Sequence, residues 1–225
     1  MQIRKDPLVT GSYYHIYSRS IAGYVVFNDT EEFSRFLENI DLYQHTYFGY
    51  RFSKFKQLDL PSQQLIIQEL REKKSVLVDI VAYCIMPTHT HFILKQSTDH
   101  GISKYIAKIL NSYTRYFNTK HKRGGPLWSG RFRSVLVSND EQLLHLTRYL
   151  HLNPTSAGLV KEPDDWPFSS YGEYVNSTLD KNEICSTKYL FDITPAEYEE
   201  FVLERKDYQR DLSKIKKLLL DNYTG

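Results

Sequence analysis

Val76-Leu77-Val78-Asp79-Ile80-Val81-Ala82-Tyr83-Cys84-Ile85-Met86-Pro87-Thr88-His89-Thr90-His91-Phe92-Ile93-Leu94-Lys95 is the stretch on which the fold turns. Its first part is a near-continuous apolar, β-branched run, the pattern of a central strand buried on both faces. Pro87-Thr88 then turns the chain, and His89 to Lys95 returns as the second arm of a hairpin. Side chains alternate along a strand, so His89 and His91 lie on one face and Thr90 on the other.

Outward from this hairpin, strands and helices alternate. Tyr13-Tyr14-His15-Ile16-Tyr17-Ser18-Arg19 is rich in aromatic and β-branched residues and predicts a strand. Asn28-Asp29-Thr30 offers caps for a helix carrying Phe33, Phe36, Leu37 and Ile40. Gly49 to Lys74 reads as an insertion with a short helix that starts near Pro61. Ile102 to about Lys120 is an amphipathic helix, and Gly124-Gly125-Pro126 ends it. Trp128 to Val137 contains a further strand. Ser138-Asn139-Asp140-Glu141 caps a helix bearing Leu143, Leu144, Leu146, Tyr149 and Leu150, with Pro154 marking its expected end.

Strand, helix, two strands, helix, strand, helix is an α+β order. It is the ferredoxin-like split β-α-β plan, with helices on one face of the sheet and one further helix. Residues 1–160 form the expected principal domain, including the insertion at about 49–74. Residues 161–225 form an extension, first extended around Trp166-Pro167 and Ser169-Ser170, then helical from Thr194 to Lys214-Ile215-Lys216-Lys217.

The composition excludes several classes. Of 225 residues, 41% are hydrophobic and 25% charged, the balance of a globular chain and not of a disordered one. No apolar run approaches a membrane span, and no secretory pattern follows Met1. Cys84 and Cys185 make no metal or disulfide framework, so a cytoplasmic location is expected.

The net charge of +2 carries little information, but its distribution carries more. Gly101 to Ser138 holds eight cations, Lys104, Lys108, Arg115, Lys120, Lys122, Arg123, Arg131 and Arg133, and no Asp or Glu. By itself such a run is better explained as a solvated basic face than as a phosphate-binding surface. Interleaved aromatics, Trp128 among them, favour unpaired bases as the partner, because these expose flat faces for stacking.

Two neutral imidazoles from His89 and His91, joined by an oxygen donor, suit Mn2+ or Mg2+. Tyr149 and Asn153 stand one helical turn apart on one face. The phenol can attack phosphorus and the amide can complete a metal site, yet among 18 tyrosines the residues alone favour Tyr149 as a helix tyrosine packed on the core. Tyr113 and Tyr116 on the preceding helix are its competitors.

Four segments carry a resemblance. Tyr83 to Leu94, Trp128-Ser129-Gly130-Arg131-Phe132-Arg133-Ser134, Arg148 to Val160 with its Tyr149-x-x-x-Asn153-Pro154-x-x-Ala157-Gly158 pattern, and Trp166-Pro167-Phe168-Ser169-Ser170-Tyr171 occur in order. Together they resemble the REP-associated branch of the single-tyrosine HUH, or IS200-like, transposases. The resemblance implies that Tyr149 is the nucleophile of a metal-dependent single-strand endonuclease and transposase. His89, His91 and Asn153 would hold Mg2+ or Mn2+, and cleavage would leave a 5′-phosphotyrosine and a 3′-hydroxyl. It implies single-stranded or hairpin DNA, from palindromic repeats, as the partner, and a monomer or homodimer. Arg131, Arg133, Trp128, Arg115, Lys122, Arg123, Lys120 and Arg19 are the expected DNA contacts. Thr90 departs from the bulky hydrophobe usual between the histidines, and the insertion is longer than in minimal members. A non-catalytic hairpin DNA- or RNA-binding protein is the alternative. A small-molecule metallohydrolase is disfavoured, since no acidic base accompanies the histidines.

Overall fold

The computed structural model describes residues 6–176, 183–186 and 192–209. Strands β1 (Tyr13–Arg19), β2 (Val78–Met86), β3 (His89–Gln96) and β4 (Arg133–Val137) form one antiparallel sheet in the order β2-β3-β1-β4. This is the split β-α-β order that the sequence predicts.

The crossover helices α1 (Thr30–Tyr43) and α4 (Gly101–Lys120) pack together on one face of the sheet. They bury Phe36, Ile40, Tyr105, Ile109 and Tyr113 against Tyr14, Ile16, Phe92 and Leu94. Each such side chain contributes about 1.5–3 kcal/mol by leaving water. The start of α4 is pressed onto β2: a Cβ at Gly101 would stand 2.0 Å from the Leu77 carbonyl oxygen. Only glycine fits there. The further helix, α5 (Asp140–Ser156), covers the opposite face, over Val81, Ala82, Cys84, Met86 and Ile93.

A bulge between Ile80 and Ala82 sets the phase of β2. It lets Val78 and Ile80 serve the α1/α4 side and Ala82, Cys84 and Met86 the α5 side, so that Cys84 pairs with His91 and Met86 with His89. Periodicity alone does not reveal such an insertion.

Pro154 does not end α5. The helix runs on to Ser156 and closes through Gly158 at φ 73, with Leu159 N–H donating to the Pro154 carbonyl and Gly158 N–H to that of Thr155. This left-handed cap satisfies the last carbonyls later than the proline would suggest.

The insertion holds α2 (Phe52–Phe55) and α3 (Leu60–Lys73), the latter capped by Asp59. Beyond α5, Phe168–Ser170 runs along the edge of β2: Ile85 N–H donates to Phe168, Ser170 N–H donates to Tyr83, and the Trp166 indole donates to the Ile85 carbonyl. The extended segment therefore packs back onto the sheet. Two helices follow, α6 (Tyr171–Val175) and α7 (Pro195–Leu203). The Lys214-Ile215-Lys216-Lys217 run and the first five residues lie outside the described residues. No described helix is long and apolar enough to cross a membrane.

Candidate active site

Register places the histidines. Cross-strand partners share a face, so Arg19 lies beside His89, Tyr17 beside His91 and Arg133 beside Tyr17, all on the α5 side. The His89 and His91 rings are 5.0 Å apart and nearly perpendicular. Tyr149 reaches down from α5 and stands edge-on to His91, with 6.4 Å between ring centroids. Thr90 is fully buried on the other face and takes no part in the site.

Both imidazoles are held by their Nδ1 atoms. His91 Nδ1 meets His15 Nε2 at 3.0 Å, with the two rings stacked at 5.2 Å. His89 Nδ1 meets the Thr88 hydroxyl at 2.9 Å. That leaves both Nε2 atoms for a common ligand, and hydrogen-bonded partners behind ligating imidazoles are the usual way their orientation is fixed. His15 was not singled out from sequence. Its position on the histidine face follows from register between strands some 75 residues apart, which the strand pattern of β1 does not contain.

Burial keeps these rings neutral. It lowers His15 and His89 to about 4 and His91 well below the ordinary imidazole range, with the Arg19 charge adding to the effect on His89 and His91. A neutral imidazole can ligate without losing a proton first. Asn153 lies in the last turns of α5, and its side-chain amide nitrogen is buried with no partner among the described residues. A buried amide end left unpaired costs free energy unless something absent from the apo chain engages the group. Which end is oxygen is set by the hydrogen-bond network, and here no partner fixes it. No group of three or more His, Cys, Asp or Glu suited to a metal occurs among the described residues. A cation bound by the two histidines would therefore complete its shell from the amide, water or substrate oxygen. This donor set fits Mn2+ or Mg2+.

The tyrosine competition resolves on packing. Tyr113 is fully buried and its hydroxyl donates to the Val26 carbonyl, while the Tyr116 hydroxyl donates to Glu31. Both belong to the α1/α4 layer. Tyr149 is 41% exposed, and its hydroxyl has no partner among the described residues. Burial raises its pKa, and the Arg19 charge pulls the other way.

The eight-cation interval is divided in space. Arg19, Arg131 and Arg133, with Tyr17 and Ser129, line a pocket of about 180 Å3 beside the histidines. The other expected contacts lie elsewhere. Lys120 is neutralised by Asp29, Glu31 and Glu32. Arg123 stacks on Tyr24 and Phe117 and donates to Asn118 and the Pro126 carbonyl, bracing the turn after α4. Arg115 is exposed on α4, across the sheet from the histidines, and Lys122 is exposed just past the end of that helix.

Trp128 corrects the stacking expectation. It is 9% exposed, packs among Phe27, Phe36 and Tyr113, and donates its indole N–H to Thr114. The ring anchors the loop that presents Arg131 instead of meeting a base.

Residues 41–153 match the family model described as Transposase IS200 like. The chain belongs to the IS200-like transposases. Among its curated relatives, the REP-associated tyrosine transposase of Escherichia coli (strain K12) is 28% identical over 104 residues, 45% of this chain. A Haemophilus influenzae protein provisionally given the same name is 28% identical over 111 residues, also 45% of this chain. The matched stretches span 59% and 63% of those relatives' own lengths. A solved REP-associated tyrosine transposase, bound to a REP hairpin, superposes with a TM-score of 0.51 at 17% identity, covering 83% of this chain and 93% of that one. That likeness is one of fold.

Acid should loosen this IS200-like transposase. His15, His89, His91 and His151 are neutral when folded, the last lowered to about 3 by complete burial. Unfolded imidazoles take up protons below about 6.5. The unfolded state thus binds more protons between about pH 6.5 and 4, and stability is lost as pH falls through that window. Melting temperatures in metal-free buffer should drop from pH 7 to 4.5, and a flat profile would contradict the neutral buried cluster.

Proposed function

We propose that this IS200-like transposase nicks and rejoins single-stranded or hairpin DNA through a 5′-phosphotyrosine on Tyr149. One observation carries the reading: the Tyr149 phenol stands edge-on to His91 with its hydroxyl unclaimed among the described residues, while Tyr113 and Tyr116 are committed to packing. The hairpin bound to the solved relative supports the choice of substrate.

The residues divide the work. Arg19, Arg131 and Arg133 draw the strand into the pocket beside the histidines. His89, His91 and Asn153 would hold a divalent cation, which when bound supplies Lewis-acid withdrawal of charge from the non-bridging phosphate oxygens. Tyr149 Oη attacks phosphorus, assisted by the Arg19 charge, which favours the phenolate that develops during attack. A Tyr149 Oη–P bond forms and the P–O3′ bond breaks. The proton lost by the phenol is balanced by one gained at the 3′-oxygen, giving a 3′-hydroxyl. Attack by another 3′-hydroxyl reverses these changes and rejoins DNA without a nucleoside triphosphate.

The test is to incubate the protein with a library of hairpin-bearing single strands and Mn2+, then denature and sequence DNA that remains attached to protein. A library that yields no covalent adduct overturns the reading. Hairpin affinity should also fall with salt. With three cations on this face, log K against log salt should have a slope of about −2 to −3. This is shallower than a groove built from most of the eight-cation interval would give. The Arg131→Ala/Arg133→Ala variant should flatten that slope by about 1.5–2, and an unchanged slope would place the DNA elsewhere.

A further inference from the structure

A larger cavity, about 820 Å3, lies across the sheet from the histidines, between α1, α4 and the start of the insertion. Its volume is that of a ligand site. Arg35, Arg51, Lys108 and Arg115 line it, and no Asp or Glu does. None of these four is paired with a carboxylate among the described residues, in contrast to Lys120, the fifth cation of the lining, which Asp29, Glu31 and Glu32 neutralise.

Arg35 is preset. Its guanidinium lies 4.1 Å from the centre of the Phe52 ring and 5.1 Å from that of Tyr116, which holds it flat against the wall. Its Nε is buried and has no hydrogen-bond partner among the described residues. A buried guanidinium N–H left unmatched calls for an acceptor, which a ligand entering beside Arg35 can bring. Tyr50 sits at the rim, 45% exposed, with its ring packed against Phe48 and Phe55. Propped from behind and open in front, it is a stacking platform. Asn111 is exposed in the same lining and can address a base edge.

We propose that this cavity is a second DNA site, which takes an unpaired single-stranded segment with phosphates at Arg35, Arg51 and Arg115 and a base on Tyr50. Anionic phosphates match the unopposed cations, and a flat base matches the exposed ring, a pairing that duplex DNA with its bases stacked inside does not offer. The choice of DNA over other nucleic acid rests on the DNA-processing reading above. The site gives the strand that continues away from the hairpin a hold separate from the cleavage face.

The test uses the full chain and a short fluorescein-labelled oligothymidylate lacking any hairpin, read by anisotropy. Tyr50→Ala should weaken its binding about tenfold, the size of one lost base stack, and Arg51→Glu by a comparable factor. Both residues are exposed, so melting temperatures should stay near wild type. Both variants should still form the covalent adduct on hairpin DNA, while Arg131→Ala/Arg133→Ala should weaken oligothymidylate binding much less than it weakens hairpin binding. Three outcomes overturn the proposal: equal affinity in wild type and Tyr50→Ala, loss only in the Arg131/Arg133 variant, or tighter binding of a polyglutamate peptide than of the oligonucleotide. Adduct failure alongside Tyr50-dependent oligonucleotide binding would sink the cleavage reading and leave the second site standing.

Discussion

Tyr149→Phe should abolish the covalent protein–DNA adduct while leaving hairpin binding and Mn2+ binding intact. The substitution removes one oxygen and keeps the ring that meets His91 edge-on at 6.4 Å. No described hydrogen bond is lost, since the hydroxyl has no partner among the described residues, so the substitution removes the proposed nucleophile and little else. Removing a member of such a unit commonly costs several orders of magnitude in rate, and here the residual should fall below detection in a denaturing gel. Tyr113→Phe breaks the bond to the Val26 carbonyl and should reduce stability by about 1–3 kcal/mol, with the adduct retained in the folded fraction. An adduct that survives in Tyr149→Phe would mean that another nucleophile attacks the phosphate.

His89→Ala/His91→Ala should show the second large effect. Two of the three proposed protein donors disappear, and Mn2+ affinity measured by titration calorimetry should fall more than about 100-fold, beyond the roughly 10–100-fold range of outer-shell changes. His15→Ala tests that grading. It removes the group behind His91 Nδ1 without touching either Nε2, and should weaken Mn2+ by about tenfold. Wild-type affinity in the double variant would show that any cation binds away from this strand pair.

What could be read from the sequence was local. The hairpin at Pro87-Thr88, the same-face histidines, the capped helix carrying Tyr149 and the crossover order all follow from periods of two or 3.6 residues and from turn chemistry. What could not be read depended on partners distant in the chain. Lys120 sits in an acid-free interval, yet α1 brings three carboxylates to it across some 90 residues. Trp128 has the residue type of a stacking platform, and only the packing of α1 and α4 turns it inward. His15 and the bulge at Val81 were invisible because both are matters of register. The Pro154 expectation fell two residues short of the observed end at Ser156 because a left-handed glycine cap, not the proline, closes the helix.

The outer side of α5 is held by residues made much later. Tyr198 hydrogen-bonds His151 Nδ1, Arg148 donates to the Phe201 carbonyl with its guanidinium over that ring, and Gln209 donates to the Tyr149 carbonyl. The separations are 47, 53 and 60 residues. At about 5–20 residues per second of synthesis, roughly 3–12 seconds separate the appearance of Tyr149 from that of its last clamp. On the ribosome, the sheet and both histidines are complete while the helix that carries Tyr149 still lacks these contacts, so the placing of Tyr149 over the histidine pair is finished late in the birth of each molecule.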